Sequence, residues 1–222
     1  MDNFLELCQW VQPRIGYSGS LADTAAASGD LAKIVSHVQE ADSRLCRLYQ
    51  DWNFLRAEED VTLVASTAVY PAPADLGNYR RGHWKAAIDG ADIFLPVLPA
   101  KGHGMPASDE GRPMAAILNP DRTIRFWPTP DSAGVVTVLY HKSTPRLAAS
   151  ADVSPIPTRF WEAIGWEAVR TLAKVESDEP LVVYSTEEAN RWLSQLIAHE
   201  LPDHYQLHYG SSDPTESAVR AE

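Results

Sequence analysis

The nearest approach to a metal motif is His199-Glu200 followed by His204. A zinc-peptidase helix needs two histidines four residues apart, so that both face one side of the helix. Here the second histidine comes five residues on, and Pro202 breaks the helix between them. No zinc centre is expected. His103 stands alone between Gly102 and Gly104, in a run (101–113) of almost pure loop composition. Asp51, Glu58, Glu59 and Asp60 cluster, and paired carboxylates can do acid–base work. A run of this kind beside a long helix reads instead as its solvated end. His83, His103 and Asp109 are the residues that a small hydrolase or binding module in the centre of the chain would draw on. No Gly-x-Ser-x-Gly elbow, phosphate-binding loop or dinucleotide fingerprint is present. No catalytic, cofactor-binding or metal-binding residue is therefore assigned, and no enzyme activity is expected.

The elements that would position such residues are legible in part. Residues 3–12 form an amphipathic helix, capped by Asp2 or Asn3 and stopped by Pro13 and Gly16. A Ser/Gly/Ala-rich loop follows (18–29). Leu31, Ile34, Val35, Val38, Ala41, Leu45, Leu48, Tyr49 and Trp52 then recur at three and four residues, which predicts one long helix. From 56 to 150 the texture is Pro- and Gly-rich with short apolar runs. Residues 61–69 read as a strand. Residues 93–98, cut by Pro96, read as an edge strand at best. Residues 123–127 and 135–140 read as two strands joined as a hairpin. Helices return at 158–174, with Thr158 as cap, and at 186–201, with Thr186 as cap, after a loop at 176–184.

Each helix has a single apolar face, so the expected fold is α+β: a four-helix bundle-like body with a small antiparallel β-rich insertion between the second and third helices, and an extended C-terminal arm. The expected organisation is a helical domain at 1–202, with the insertion at about 56–150, and an arm at 203–222. Trp52, Trp161 and Trp192 fall on apolar faces. Trp166 falls off its helix's main stripe and is read as an exposed aromatic at a subunit interface, where aromatics are enriched.

The chain has 222 residues with 30 acidic and 19 basic side chains, a net charge of −11. That is the wrong sign for a protein that holds nucleic acid, because phosphate affinity comes from cations. The acidity is concentrated at 175–222, where 10 carboxylates face 2 cations. Two cysteines, Cys8 and Cys46, are too few for a disulfide framework and are read as small buried apolar groups. The longest charge-free run, 61–74, is too short and too polar to span a bilayer, and the acidic N-terminus is unlike a secretory signal. A reduced-compartment protein without membrane contact is expected.

An ordered set of short motifs carries more. Gln50-Asp51-Trp52-Asn53-Phe54-Leu55 closes the long helix, and Val69-Tyr70-Pro71-Ala72-Pro73-Ala74-Asp75 follows a strand. Later come Thr123-Ile124-Arg125-Phe126-Trp127-Pro128, a strand to Tyr140, and Pro155-Ile156-Pro157 leading into Phe160 and a Trp/Ala-rich helix. In this order, from about Leu5 to Leu201, the sequence resembles the head-to-tail adaptor (connector) proteins of tailed bacteriophages. It departs in having alanines where leucine is usual around Pro71 and Pro73, and in a long Gly/Pro-rich stretch at 84–114.

The resemblance implies Trp52, Phe54, Leu55, Tyr70, Pro128, Tyr140, Pro157 and Phe160 as the motif core. It implies a structural virion protein of the neck, made in the host cytoplasm. Such proteins form a ring, typically of twelve copies, between the portal and a tail or nozzle protein. Genomic double-stranded DNA passes through the lumen without specific binding. In that setting the 203–222 segment, with Tyr205, Leu207 and Tyr209 as apolar anchors, becomes the portal-docking arm. The 101–113 loop, with His103 and Met105, becomes a contact toward the tail. A stopper or other tail-completion protein of the same neck remains the alternative structural reading.

Overall fold

The computed structural model describes residues 1–79, 83–99, 109–144 and 146–201. The chain divides into two compact units, Met1–Leu55 with Thr144–Glu222, and Arg56–Ser143.

The first unit is helical. In α1 (Phe4–Ile15), the Asn3 side chain accepts from the Glu6 amide and Gly16 adopts a left-handed conformation (φ 79°) that ends the helix. Phe4, Leu7, Cys8 and Val11 form its buried stripe. The second helix, α2 (Asp30–Leu48), buries Ile34, Val35, Val38, Ala41, Leu45 and Cys46. A 3-10 turn (Thr158–Phe160) leads into α3 (Trp161–Val175), and α4 (Glu179–Glu200) follows after a short turn. The third helix is the centre of this unit: it packs on α1, α2 and α4 and buries residues around most of its circumference, including Trp161, Ile164, Val169 and Leu172. Gly165 permits the close approach of α1, because a side chain there would run into the ring of Trp10.

The second unit is built of strands: β1 (Arg56–Leu63), β2 (Val69–Pro71), β3 (Leu76–Tyr79), β4 (His83–Ile88), β5 (Ala91–Pro99), β6 (Glu110–Gly111), β7 (Ala115–Leu118), β8 (Thr123–Trp127), β9 (Thr129–Pro130) and β10 (Gly134–Lys142). Eight form one nearly closed sheet in the order β1-β10-β4-β5-β7-β8-β2, with β3 also paired to β10. The longest ladder joins β1 to β10, from Arg56 opposite His141 to Leu63 opposite Gly134. Asp89 and Gly90, both at positive φ, make the two-residue turn between β4 and β5. Alternate residues (Trp84, Ala86 and Ile88; Ile124 and Phe126; Val136, Val138 and Tyr140) fill a core of its own.

This architecture corrects the expected fold class. The β region is not a small insertion on a four-helix body but a large sheet with its own core. Nor is it purely antiparallel, since β5 and β7 run parallel. The predicted hairpin of 123–127 with 135–140 does not form: β8 pairs with β7 and β2, and β10 with β1, β3 and β4. Residues 91–99 are an internal strand despite Pro96, which stands opposite His83 where the β4 ladder ends, just before the β7 ladder begins at Val97. The missing N–H costs least at such a handover.

Helix boundaries also differ. The first helix runs through Pro13 to Ile15 and is stopped by Gly16 alone. Thr158 does not cap α3, which begins at Trp161 after the 3-10 turn. The long helix stops at Leu48, with Tyr49 extended, so Trp52 folds back on it rather than extending its stripe. The fourth helix begins at Glu179, seven residues before Thr186, where the Asp178 side chain accepts from the Leu181 amide and Pro180 fits the first turn.

Candidate functional site

The motif residues of the helical unit shape the turns that enter and leave it. Trp52 is fully buried, and its indole N–H donates to the Leu45 carbonyl at 3.0 Å. Phe54 stacks on it (5.2 Å between centroids) and Tyr49 meets it edge-on. Leu55 is buried and closes a 3-10 turn by donating its amide to the Trp52 carbonyl. At the return, Pro157 opens the turn before α3 and its carbonyl accepts from the Phe160 amide. Phe160 is buried, with the Arg159 guanidinium over its ring.

In the strand unit, the Tyr70 hydroxyl accepts from the Val64 amide (2.8 Å) and donates to the Val64 carbonyl, which pins the link between β1 and β2. Its ring packs edge-on against Phe126. Pro128 follows a cis bond from Trp127 and is half-buried between β8 and β9. The buried Tyr140 donates its hydroxyl to Asp75 Oδ1 at 2.7 Å, with Lys142 Nζ 3.5 Å from the other oxygen. Burial and then the Asp75 carboxylate push the Tyr140 phenol up, while that phenol, and more weakly Lys142, holds Asp75 below its usual range. These contacts are structural ties in which each group is committed to another.

The residues with chemical potential are not gathered. His199 lies against the Phe160 ring, and Glu200 is buried with its carboxylate on Arg159 (3.1 Å). His204 lies outside the described residues. Asp51 follows α2, whereas Glu58, Glu59 and Asp60 lie on β1, not at a helix end. Asp60 accepts from the Thr137 hydroxyl across the ladder. His83 and Asp109 are both exposed, and His103, with Met105, lies outside the described residues. A cleft of about 400 Å³ is lined by Arg56, Ala57, Glu58, Leu139 and Tyr140, but its phenol is taken by Asp75. Among the described residues no three metal-binding side chains converge. Cys8 and Cys46 are buried free thiols, and burial pushes Cys8 up to about 12, away from reactivity.

What the surface does offer is an aromatic row in the helical unit. Trp166 is not an exposed aromatic: it is only 7% exposed, because α1 covers it. Trp10 meets one side of its ring at 5.4 Å and Tyr184 another at 5.3 Å, both edge-on. The Arg14 guanidinium sits 3.5 Å over Trp10. Tyr184, 52% exposed beside exposed Val183, is the end of the row that meets solvent. The loop-like composition of 176–184 hides it in the sequence, although Glu179–Tyr184 form the first turns of α4. Nearby, Glu176 accepts from the Tyr17 hydroxyl (2.6 Å) and pairs with Lys33, and these two partners hold its carboxyl below the usual range. Within α3, the carboxylate of Glu167, itself almost buried, holds both Arg170 (2.6 Å) and Arg44 of α2 (2.9 Å).

The portal-arm residues Tyr205, Leu207 and Tyr209 lie outside the described residues. Among those described, no helix is long and apolar enough to cross a membrane. A family model described as SU10 adaptor protein matches residues 2–206. No curated protein matches the chain.

Proposed function

The chain belongs to the SU10 adaptor protein family, and on that premise we propose that it is a structural virion protein of a tailed bacteriophage, the head-to-tail adaptor that joins the portal to the tail. The observation that carries this reading is the extent of the family match, residues 2–206 of 222. In the proposed assembly, copies form a ring on the portal, twelve where the portal has that symmetry, and the genome passes through its lumen. The net charge of −11 supports the reading, because carboxylates facing phosphates let DNA slide rather than stick. The residues whose geometry is known act as braces, which suits a part that bears load rather than turns over a substrate.

The test is electron microscopy of the purified protein mixed with isolated portal rings. An added ring on the tail-facing side of the portal is the expected result. A chain that joins only after another neck protein has been added is a stopper instead, and one that joins under neither condition overturns the adaptor reading.

The docking element is proposed to be 203–222, with Tyr205, Leu207 and Tyr209 as anchors. A chain lacking 203–222 is expected to keep its melting behaviour and lose portal binding. The 101–113 loop, with His103 and Met105, is proposed to face the tail. Limited proteolysis is expected to cut it in the free protein and spare it in assembled particles, and equal cutting in both removes that assignment.

A further inference from the structure

The sheet of the strand unit is nearly closed but keeps two end strands, β1 and β2, each with one side unpaired among the described residues. An open edge presents a row of backbone N–H and C=O groups that can take up a strand of another chain. The β2 edge is blunted by its length, three residues, the last of them Pro71, which has no N–H to offer. The β1 edge is eight residues long, Arg56–Leu63, and is a far better template. Yet its middle is Glu58-Glu59-Asp60, residue types in which strands are depleted.

The register shows where these carboxylates stand. Glu58 and Asp60 lie opposite Leu139 and Thr137, on the outer face of the sheet. Glu59 lies opposite Val138, in the row of Ala57, Val61 and Leu63 that turns toward the core of the unit. It stays exposed there, at the edge, where no strand lies beyond β1 among the described residues. Asp60 accepts from the Thr137 hydroxyl, and no ion pair joins any of the three to a cation among the described residues. A strand added at this edge would cover Glu59 and bury a carboxylate without a partner, which is strongly unfavourable. If that strand were β1 of a second copy, antiparallel and in full register, Glu59 of each copy would stand against Asp60 of the other. Arg56 would fall opposite Leu63, away from both.

We propose that Glu58, Glu59 and Asp60 guard the open edge of β1 against edge-to-edge pairing with a second copy of this chain. The two edges are protected differently because they differ in length: a three-residue strand needs only its shortness and a proline, and an eight-residue strand needs charge. The guard works through like-charge repulsion and the desolvation of Glu59, so it depends on the charge of the side chains rather than on their size. Nothing in it depends on the adaptor reading.

The experiment compares three full-length variants with the wild type by sedimentation velocity over a concentration series, with hydrogen exchange of the β1 amides as the local readout. The first carries Glu58→Thr, Glu59→Thr and Asp60→Thr, which favour a strand and remove the charge. The second carries Glu58→Lys, Glu59→Lys and Asp60→Lys, so that like charges still meet. The third carries Glu40→Gln, Glu179→Gln and Glu187→Gln in the helical unit, which shifts the net charge as much as the first. All six positions are exposed, so melting of the dilute variants is expected to match the wild type. Glu58→Gln, Glu59→Gln and Asp60→Asn replace the threonine set if it melts early. The threonine variant is expected to self-associate at least about tenfold more tightly, the scale of two relieved like-charge pairs, with the β1 amides gaining protection as concentration rises. The lysine and glutamine variants are expected to behave as the wild type. A threonine variant that associates no more than the wild type, or that associates without protecting β1, overturns the proposal. Equal association of the lysine variant overturns it by removing charge as the guard, and equal association of the glutamine variant does so by making net charge the cause.

Discussion

Asp42 sits in an environment that its chemistry disfavours. It lies on α2 with no exposed surface and accepts from the Ser154 hydroxyl at 2.5 Å, while its second oxygen has no hydrogen-bond partner among the described residues. Burial raises its carboxyl from 3.8 to about 6, and the Ser154 bond only partly opposes this. Between those values the folded chain binds a proton that the unfolded chain has released, so stability falls as pH rises from about 4 to 6 and the penalty is complete above 6. Asp42→Asn keeps an acceptor for Ser154 and cannot ionise. Urea unfolding should therefore show the Asn variant gaining on the wild type by roughly 3 kcal/mol between pH 4 and pH 7.5. A difference that does not change with pH sinks the argument. Gly165 is the steric counterpart: Gly165→Ala puts a methyl into the Trp10 ring and should cost about 1–3 kcal/mol of overpacking, read as a lower denaturant midpoint. Neither effect was legible beforehand. Asp42 sits one residue from Ala41 on an otherwise ordinary stripe, and the partner of Gly165 is more than 150 residues away in sequence.

Among the elements, the helices could be read because their signal is local: apolar residues at three and four residues, with a cap and a stop. Their errors have the same origin. Thr186-Glu187-Glu188 has the composition of a helix start, yet Asp178-Glu179-Pro180 eight residues earlier is the cap in use, and the Thr186 hydroxyl donates instead to the Val182 carbonyl inside the helix. The two readings separate by mutation. Asp178→Ala should cost about 1 kcal/mol, while Thr186→Ala should stay within about 0.5 kcal/mol, both measured by chemical denaturation. The reverse order would restore Thr186 as the cap. The β4–β5 hairpin was also legible in principle, since Asp89-Gly90 between two apolar runs is a strong turn signal. Pro96 weakened it by arguing against a strand that the ladder handover in fact tolerates.

At the scale of the whole molecule, the sheet was illegible because its ladders are long-range. The first strand pairs with the last, Arg56 with His141, and no local pattern announces such a partner. The change of texture after Leu55 was visible, but composition could not show that the strands would bury Trp84, Ile124, Phe126 and Val138 in a core of their own. That core shares no residue with the helical one. Phe126, fully buried in it, gives a test of how the two cores support stability. Phe126→Ala should cost the strand unit about 3–5 kcal/mol. If the units open separately, native-state hydrogen exchange will show amides of β7, β8 and β10 losing protection by that amount while those of α3 keep theirs. Equal loss in α3 would mean that the chain unfolds as one cooperative block.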